Sequence, residues 1–228
     1  MSLNEKLEQI RKKIFSAQKK GDFNHPVQII AVTKTRPFQI IKDCYNANLS
    51  AVGENRIQEA IEKFKNFTDM PGLTRRFIGH LQSNKVNKCL ELFDTVDSVD
   101  SVKLARRISN RAHAMGKTYP VLLEVNTSGE TQKSGFNPSQ TEQMLVCMGE
   151  KNIQVEGLMT IGPHTTNRAK IRKSFIELRK LAEMLNNQFG EKKLKELSMG
   201  MSGDYEIAAE EGSTMVRLGT VLFGSRKY

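Results

Sequence analysis

Val27-Gln28-Ile29-Ile30-Ala31-Val32-Thr33-Lys34 is an almost unbroken apolar, β-branched run that closes on a lysine, and Thr35-Arg36-Pro37 follows at once. A strand that is apolar on both faces is covered on both faces, as in a parallel sheet flanked by helices. Lys34 therefore stands at a strand's carboxyl end. Seven further runs repeat the theme. Strands are expected near 27–33, 49–53, 76–81, 93–97, 120–125, 154–160, 195–199 and 214–218. Helices are expected near 38–47, 55–66, 83–91, 100–115, 138–150, 167–189 and 204–211. Eight strands alternating with helices over about 200 residues predict an α/β fold, a closed (β/α)8 barrel of the TIM type. A doubly wound open sheet is the competitor, and it requires a glycine-rich turn after the first strand. Here that turn is Lys34-Thr35-Arg36-Pro37, and neither a GxGxxG nor a P-loop pattern occurs. Leu3, Leu7, Ile10 and Ile14 share one face of an extra N-terminal helix. Residues 1–228 are read as one domain, with that helix at about 3–20 and the barrel at about 27–226.

Composition narrows the function classes. Net charge is +10, from 35 basic and 25 acidic residues, which raises nucleic acid as a partner. The basic residues are scattered, however. Clusters such as Arg11-Lys12-Lys13 and Lys192-Lys193 lie on predicted helices, with no basic stripe interleaved with aromatics. A solvated surface that steers small anions, phosphate esters among them, is the preferred reading. Cys44, Cys89 and Cys147 are far apart and form no CxxC, which argues for a reducing compartment and against disulfides or zinc. They read as small buried hydrophobes. Sequons at Asn48, Asn66 and Asn126 carry no weight without a secretory signal, and Met1-Ser2-Leu3-Asn4-Glu5-Lys6 has no apolar segment. No apolar run approaches a membrane span. A soluble, cytoplasmic protein is expected.

Barrel enzymes carry their chemistry on the loops after the strands. An ammonium such as that of Lys34, held at the mouth of a core, is partly desolvated, which favours the neutral amine, a nucleophile toward aldehydes. Phosphates in such barrels often sit between the loops after strands seven and eight. There the chain reads Ser198-Met199-Gly200-Met201-Ser202-Gly203-Asp204 and Arg217-Leu218-Gly219-Thr220. The backbone N–H groups where Ser202-Gly203-Asp204 enters a helix favour an anion, and Ser202 can donate its hydroxyl. Gly219 permits close approach, so the amides of Gly219 and Thr220 could complete a cradle. The plainer alternative has Ser202 and Asp204 capping a helix and Gly219 making a turn. Arg217 lies within a strand, between Val216 and Leu218. It is either a buried ion pair with Glu206 or Glu210, or a donor toward a ring nitrogen or another acceptor in the mouth. A lysine nucleophile, a phosphate cradle across the mouth and a cationic donor together describe a site for pyridoxal 5′-phosphate (PLP), with the aldehyde on Lys34 as a Schiff base. An aldol-type Schiff-base barrel also uses a lysine, but it needs an acid–base partner that the sequence does not identify.

At these residues the chain resembles the pyridoxal phosphate homeostasis protein family. The likeness is carried by Ala31-Val32-Thr33-Lys34-Thr35, Gly53-Glu54-Asn55-Arg56-Ile57-Gln58-Glu59, Phe77-Ile78-Gly79-His80-Leu81-Gln82-Ser83-Asn84-Lys85, Leu197-Ser198-Met199-Gly200-Met201-Ser202-Gly203-Asp204, and Val216-Arg217-Leu218-Gly219-Thr220 with Phe223-Gly224. The resemblance implies a single barrel like the N-terminal domain of alanine racemase. It implies Lys34 as the Schiff-base lysine, Ser202, Gly219 and Thr220 on the phosphate, Arg217 at the ring nitrogen, and Asn55, Ser198 and Met199 lining the pocket. Two departures stand out: Arg75-Arg76 where the family has an aromatic and then another residue, and His80 where it has proline.

The resemblance implies a protein that holds and delivers PLP without an established reaction. Apo PLP-dependent enzymes would receive it, amino acids would exchange with it by transimination, and a monomer is expected. The enzymatic alternative is a PLP-dependent amino-acid racemase. Racemases in related barrels use a tyrosine opposite the lysine, and none of Tyr45, Tyr119, Tyr205 and Tyr228 is an evident opposite-face acid. A basic nucleic-acid-binding protein is the remaining alternative.

Overall fold

A computed structural model describes residues 1–65 and 70–225. Eight parallel strands close on one another in chain order: β1 (Gln28–Val32), β2 (Ala51–Glu54), β3 (Thr74–Phe77), β4 (Thr95–Val99), β5 (Tyr119–Glu124), β6 (Ile153–Met159), β7 (Glu196–Met201) and β8 (Met215–Leu218). β1 pairs with both β2 and β8, which completes the ring. Helices follow the strands: α2 (Phe38–Asn46), α3 (Ile57–Phe64), α4 (Val86–Leu92), α5 (Val102–Ala114), α6 (Thr141–Met148), α7 (Arg168–Phe189), α8 (Tyr205–Glu210) and α9 (Thr220–Phe223), with α1 (Leu3–Lys20) before the first strand. This is the expected TIM-type barrel with its extra N-terminal helix. Asn66, Arg226 and Tyr228 lie outside the described residues.

Side chains alternate across each strand, so the barrel has an outer and an inner set. Ala31, Val52, Val216 and Leu218 join the main core with helix residues such as Ile41, Phe175 and Leu178. Ile30, Ala51, Leu122, Met159 and Met215, from five different strands, form a second, inner cluster. Each large side chain buried in this way contributes about 1.5–3 kcal/mol. The three cysteines are buried, and burial pushes the Cys44 and Cys147 thiols up to about 12, so they behave as small hydrophobes. No helix among the described residues is long and apolar enough to cross a membrane.

The interior also holds charge, and this explains the main boundary errors. β3 was expected near 76–81 and β4 near 93–97, but they run Thr74–Phe77 and Thr95–Val99. Arg76 and Asp97 are both buried. Arg76 donates from Nε and Nη2 to Asp97 at 2.7 and 3.1 Å, and Thr95 Oγ1 adds a bond at 2.9 Å. A reading that follows apolarity slides off strands whose inward positions are an arginine and an aspartate.

α1 braces the part of the barrel that matters below. Ser2 Oγ accepts the Glu5 N–H at 3.2 Å and the Ser2 N–H donates to Glu5 Oε2 at 2.7 Å, a capping box that fixes the helix start. Leu7, Ile10 and Ile14 are buried, as their spacing predicts. The helix packs on α8 and α9, and Lys6 Nζ donates to the Leu222 carbonyl at 2.8 Å. α9, four residues long, was not anticipated from the sequence.

Candidate functional site

β1 ends at Val32, and Thr33-Lys34-Thr35-Arg36 turns out of the barrel, with the Arg36 N–H donating to the Thr33 carbonyl at 3.0 Å. This places Lys34, half-buried, at the carboxyl end of the strand. Beside it opens a cavity of about 300 Å³, at the small end of ligand-site volumes. Five of the eight residues singled out from the sequence line it: Lys34, Ser202, Arg217, Gly219 and Thr220.

The loops after β7 and β8 meet in this wall. β7 shifts register between Ser198 and Met201, and Gly200 in the shift has φ +94, a left-handed value that glycine adopts without strain. Beyond it, Ser202 Oγ accepts the N–H groups of Gly219 and Val221 at 3.3 and 3.2 Å. The serine therefore caps α9 and not α8. Its oxygen is engaged as an acceptor, which leaves its own hydrogen to be donated. The N–H groups of Ser202, Gly203 and Thr220 have no acceptor among the described residues. Asp204 precedes α8 without capping it, and its Oδ1 accepts the Met201 N–H at 2.5 Å. The plain capping alternative therefore fails for both residues in the form expected.

Arg217 is 5% exposed and points inward from β8. Its Nη1 donates to the Ser198 carbonyl and Oγ at 2.7 and 2.8 Å, and Nη2 to the Thr160 carbonyl at 2.7 Å. The alternative of an ion pair with Glu206 or Glu210 is wrong. Those residues are on α8, outside the barrel, where Glu206 pairs with Lys13 and Glu210 with Arg172. Burial lowers the Arg217 pKa, while Asp97, Glu124 and Asp204 oppose that from farther off. The guanidinium is thus fixed in place with N–H donors to spare and a charge no adjacent carboxylate cancels.

The remaining candidates are less direct. Ser198 is fully buried and acts through Arg217. Asn55 is half-buried after β2 and does not line the cavity. A Cβ on Gly79 would fall 2.3 Å from its carbonyl oxygen, so glycine lets the loop after β3 pack against it. Met199 is buried with the outer core, on the helix-facing side of β7, so its side chain does not reach the cavity. Ser198 and Met199 are neighbours on one strand and cannot face the same way.

Sequence reasoning missed Val32, Arg36, Met201 and Phe223, which complete the lining together with Gly203, from the Ser202-Gly203-Asp204 segment expected to favour an anion. Arg36 is held by the Gly224 carbonyl at 2.6 Å. It also missed Glu124 at the end of β5. Burial, with Asp100 adding repulsion, pushes its carboxyl up to about 7, although Arg217 works the other way. His80 lies across the mouth, exposed, with Nδ1 at 3.4 Å from both Asp100 Oδ2 and Ser134 Oγ, and does not line the cavity. Among the described residues, no group of three or more His, Cys, Asp or Glu side chains is arranged to hold a metal ion.

This geometry can be set against known proteins. The family described as alanine racemase, N-terminal domain, matches residues 6–227. A pyridoxal phosphate homeostasis protein of Aquifex aeolicus is 38% identical over 230 residues, spanning 100% of both chains. The chain belongs to this family. Among solved structures, PipY of Synechococcus elongatus with PLP bound superposes at a TM-score of 0.86 and 36% identity, covering 98% of this chain and 100% of that one. An alanine racemase of Clostridium difficile gives a TM-score of 0.74 at 18% identity, covering 95% of this chain and 61% of the racemase, a likeness of fold alone. The five lining residues foreseen from the sequence lie in the segments that carry the family resemblance.

Proposed function

We propose that this chain binds PLP, carries it covalently on Lys34 and hands it on to apo-enzymes in the cytoplasm, as a monomer whose barrel works as one unit. The observation that carries this reading is the convergence of Lys34, Arg217 and the Ser202–Gly219–Thr220 cradle on one cavity. The full-length likeness to pyridoxal phosphate homeostasis proteins and to PipY with PLP bound supports it.

When bound, PLP supplies an aldehyde that condenses with an amine. Everything else falls to the chain's own residues. Lys34 brings the amine to the rim. Ser202 donates its hydroxyl and, with the amides of Gly203 and Thr220, meets a dianionic phosphate, the strong case of hydrogen bonding. Arg217 directs an N–H toward a ring acceptor, and its positive charge disfavours protonation there, which weakens the ring as an electron sink. Tyr119 donates its hydroxyl to the Phe93 carbonyl at 2.6 Å, and neither Tyr45 nor Tyr205 lines the cavity. Glu124 titrates near neutrality but is also outside the lining. Proton return on the face opposite Lys34 therefore has no donor among the described lining residues other than basic ones and Ser202 and Thr220. This favours a carrier over a racemase.

The test uses PLP-loaded protein with L-alanine, L-serine and L-lysine in deuterated water. Slow α-deuteration without inversion is expected from an exchangeable, accessible linkage. D-isomer formation at about 1 per second or faster would install the racemase reading instead.

A further inference from the structure

Behind Lys34 lies a buried charge cluster that the binding site does not use. Lys63 on α3 is 8% exposed, and Glu54 at the end of β2 is 0% exposed. Lys63 Nζ donates to Glu54 Oε1 at 2.8 Å and pairs with Glu59 Oε1 at 2.6 Å. The same ammonium donates to the Thr33 carbonyl at 2.8 Å, and Thr33 Oγ1 donates to Glu54 Oε1 at 2.6 Å. Glu59 Oε1 in turn accepts the Thr35 N–H. The residue before Lys34 and the residue after it are therefore both tied to one lysine and its two carboxylates.

The backbone at this point needs holding. Thr33 to Arg36 is a turn closed by the Arg36 N–H on the Thr33 carbonyl, with Lys34 and Thr35 at its centre. Thr35 has φ +62, the left-handed region that a type II turn demands at its second central residue. Glycine is the usual occupant, and a β-branched threonine there is a strained exception. Such strain persists where the surroundings over-determine it, and it gathers at functional sites. Burying a lysine with two carboxylates is itself costly unless the geometry is well satisfied. Glu54 Oε2 is buried with no hydrogen-bond partner, so the cluster keeps a further unfavourable contact. Strain and buried charge together fix one object, the two peptide units that carry Lys34.

We propose that Lys63, Glu54 and Glu59 are positioning residues for Lys34: they clamp Thr33 and the strained Thr35 so that the amine is presented at the cavity in one orientation. This rests on the reading of Lys34 as the residue that takes PLP. A group held within about an ångström of its reacting geometry can lose one to two orders of magnitude in rate when released.

The experiment compares wild type with Thr35→Gly, Glu59→Gln and Lys63→Met. Each is mixed with PLP, quenched with borohydride at intervals, and mapped by peptide mass to give the rate at which Lys34 is labelled. Thermal unfolding of the apo-proteins is measured alongside. Thr35→Gly removes the strain and loosens the turn. It should melt no lower than wild type, yet label Lys34 about tenfold more slowly or worse. Glu59→Gln should behave likewise, with a smaller loss. Lys63→Met is the severe variant and is informative only if it folds, whereas the other two do not depend on it. Labelling of Lys34 at the wild-type rate in folded Thr35→Gly and Glu59→Gln would overturn the clamp and leave the cofactor reading intact. Failure of the wild type to label Lys34 would overturn both.

Discussion

Two buried arginines face the inside of the same barrel under opposite arrangements. Arg76 is gripped by both oxygens of Asp97. Burial works against its charge, but Asp97, with Glu156 and Glu196 across the lumen, holds its pKa above the ordinary arginine value. Arg217 has two backbone carbonyls and a serine hydroxyl for partners, and burial wins, lowering its pKa. Arg76 is a closed account, whereas Arg217 lines a cavity. The difference separates a charge cancelled within the fold from one that faces a cavity. A guanidinium already neutralised by a bidentate carboxylate has little to offer an incoming acceptor. One held by neutral oxygens keeps both its orientation and its field.

The comparison breaks first, and hardest, at Asp97. Asp97→Ala leaves Arg76 buried without a counter-ion and should cost about 3–5 kcal/mol in urea unfolding. Arg217→Met should cost less, about 1–3 kcal/mol, because it strands only neutral acceptors, and its main effect should be lost PLP retention. Equal destabilisation by the two would erase the distinction drawn here.

A second test reads the field around Arg217 through Glu124. The folded-state pKa of this carboxyl is raised from 4.5 to about 7, so between those values the native protein binds more protons than the unfolded chain. Stability should therefore fall as pH rises through that window and level off above it. Glu124→Gln should remove the slope. The variant should gain on wild type by up to about 3 kcal/mol above pH 7, at 1.36 kcal/mol per unit, and show no gain near pH 4. Unfolding curves at several pH values decide this, and parallel stability profiles for the two proteins would contradict it.

The smallest effect sharpens the cradle. Ser202→Ala should cost about 1 kcal/mol in unfolding, because the Gly219 and Val221 N–H groups lose their acceptor, and should weaken PLP binding by about 1.5–3 kcal/mol for the one charge-assisted bond lost. Pyridoxal without its phosphate should bind both forms alike in an equilibrium titration. Phosphate-independent binding in the parent protein would count against the placement.

The legible part of this molecule is the part where position alone implies role. Lys34, Ser202, Gly219 and Thr220 stand where strands end, so finding the strands found them. Arg217 was visible because a charge inside an apolar run must have a reason. Glu54, Asp97 and Glu124 are likewise acids within or closing strands, but their partners come from elsewhere in the chain, so the local sequence does not show what they do. Lys63 looks like any helical lysine until α3 packs it against Thr33 and Glu54. Alternation along β7 turns the Met199 side chain away from Ser198 and into the helix-facing core, which a motif read as one segment does not show. α9 is too short to leave a periodic pattern, yet its N-terminus is where Ser202 docks.

The central claim is that one lysine in this chain carries PLP. Purified protein, loaded with PLP and reduced with borohydride, should yield a single modified peptide with the cofactor on Lys34, and Lys34→Ala should lose both that peptide and the visible-to-near-ultraviolet absorbance of the linkage. Modification of a different lysine, or retention of the absorbance in Lys34→Ala, would contradict the account.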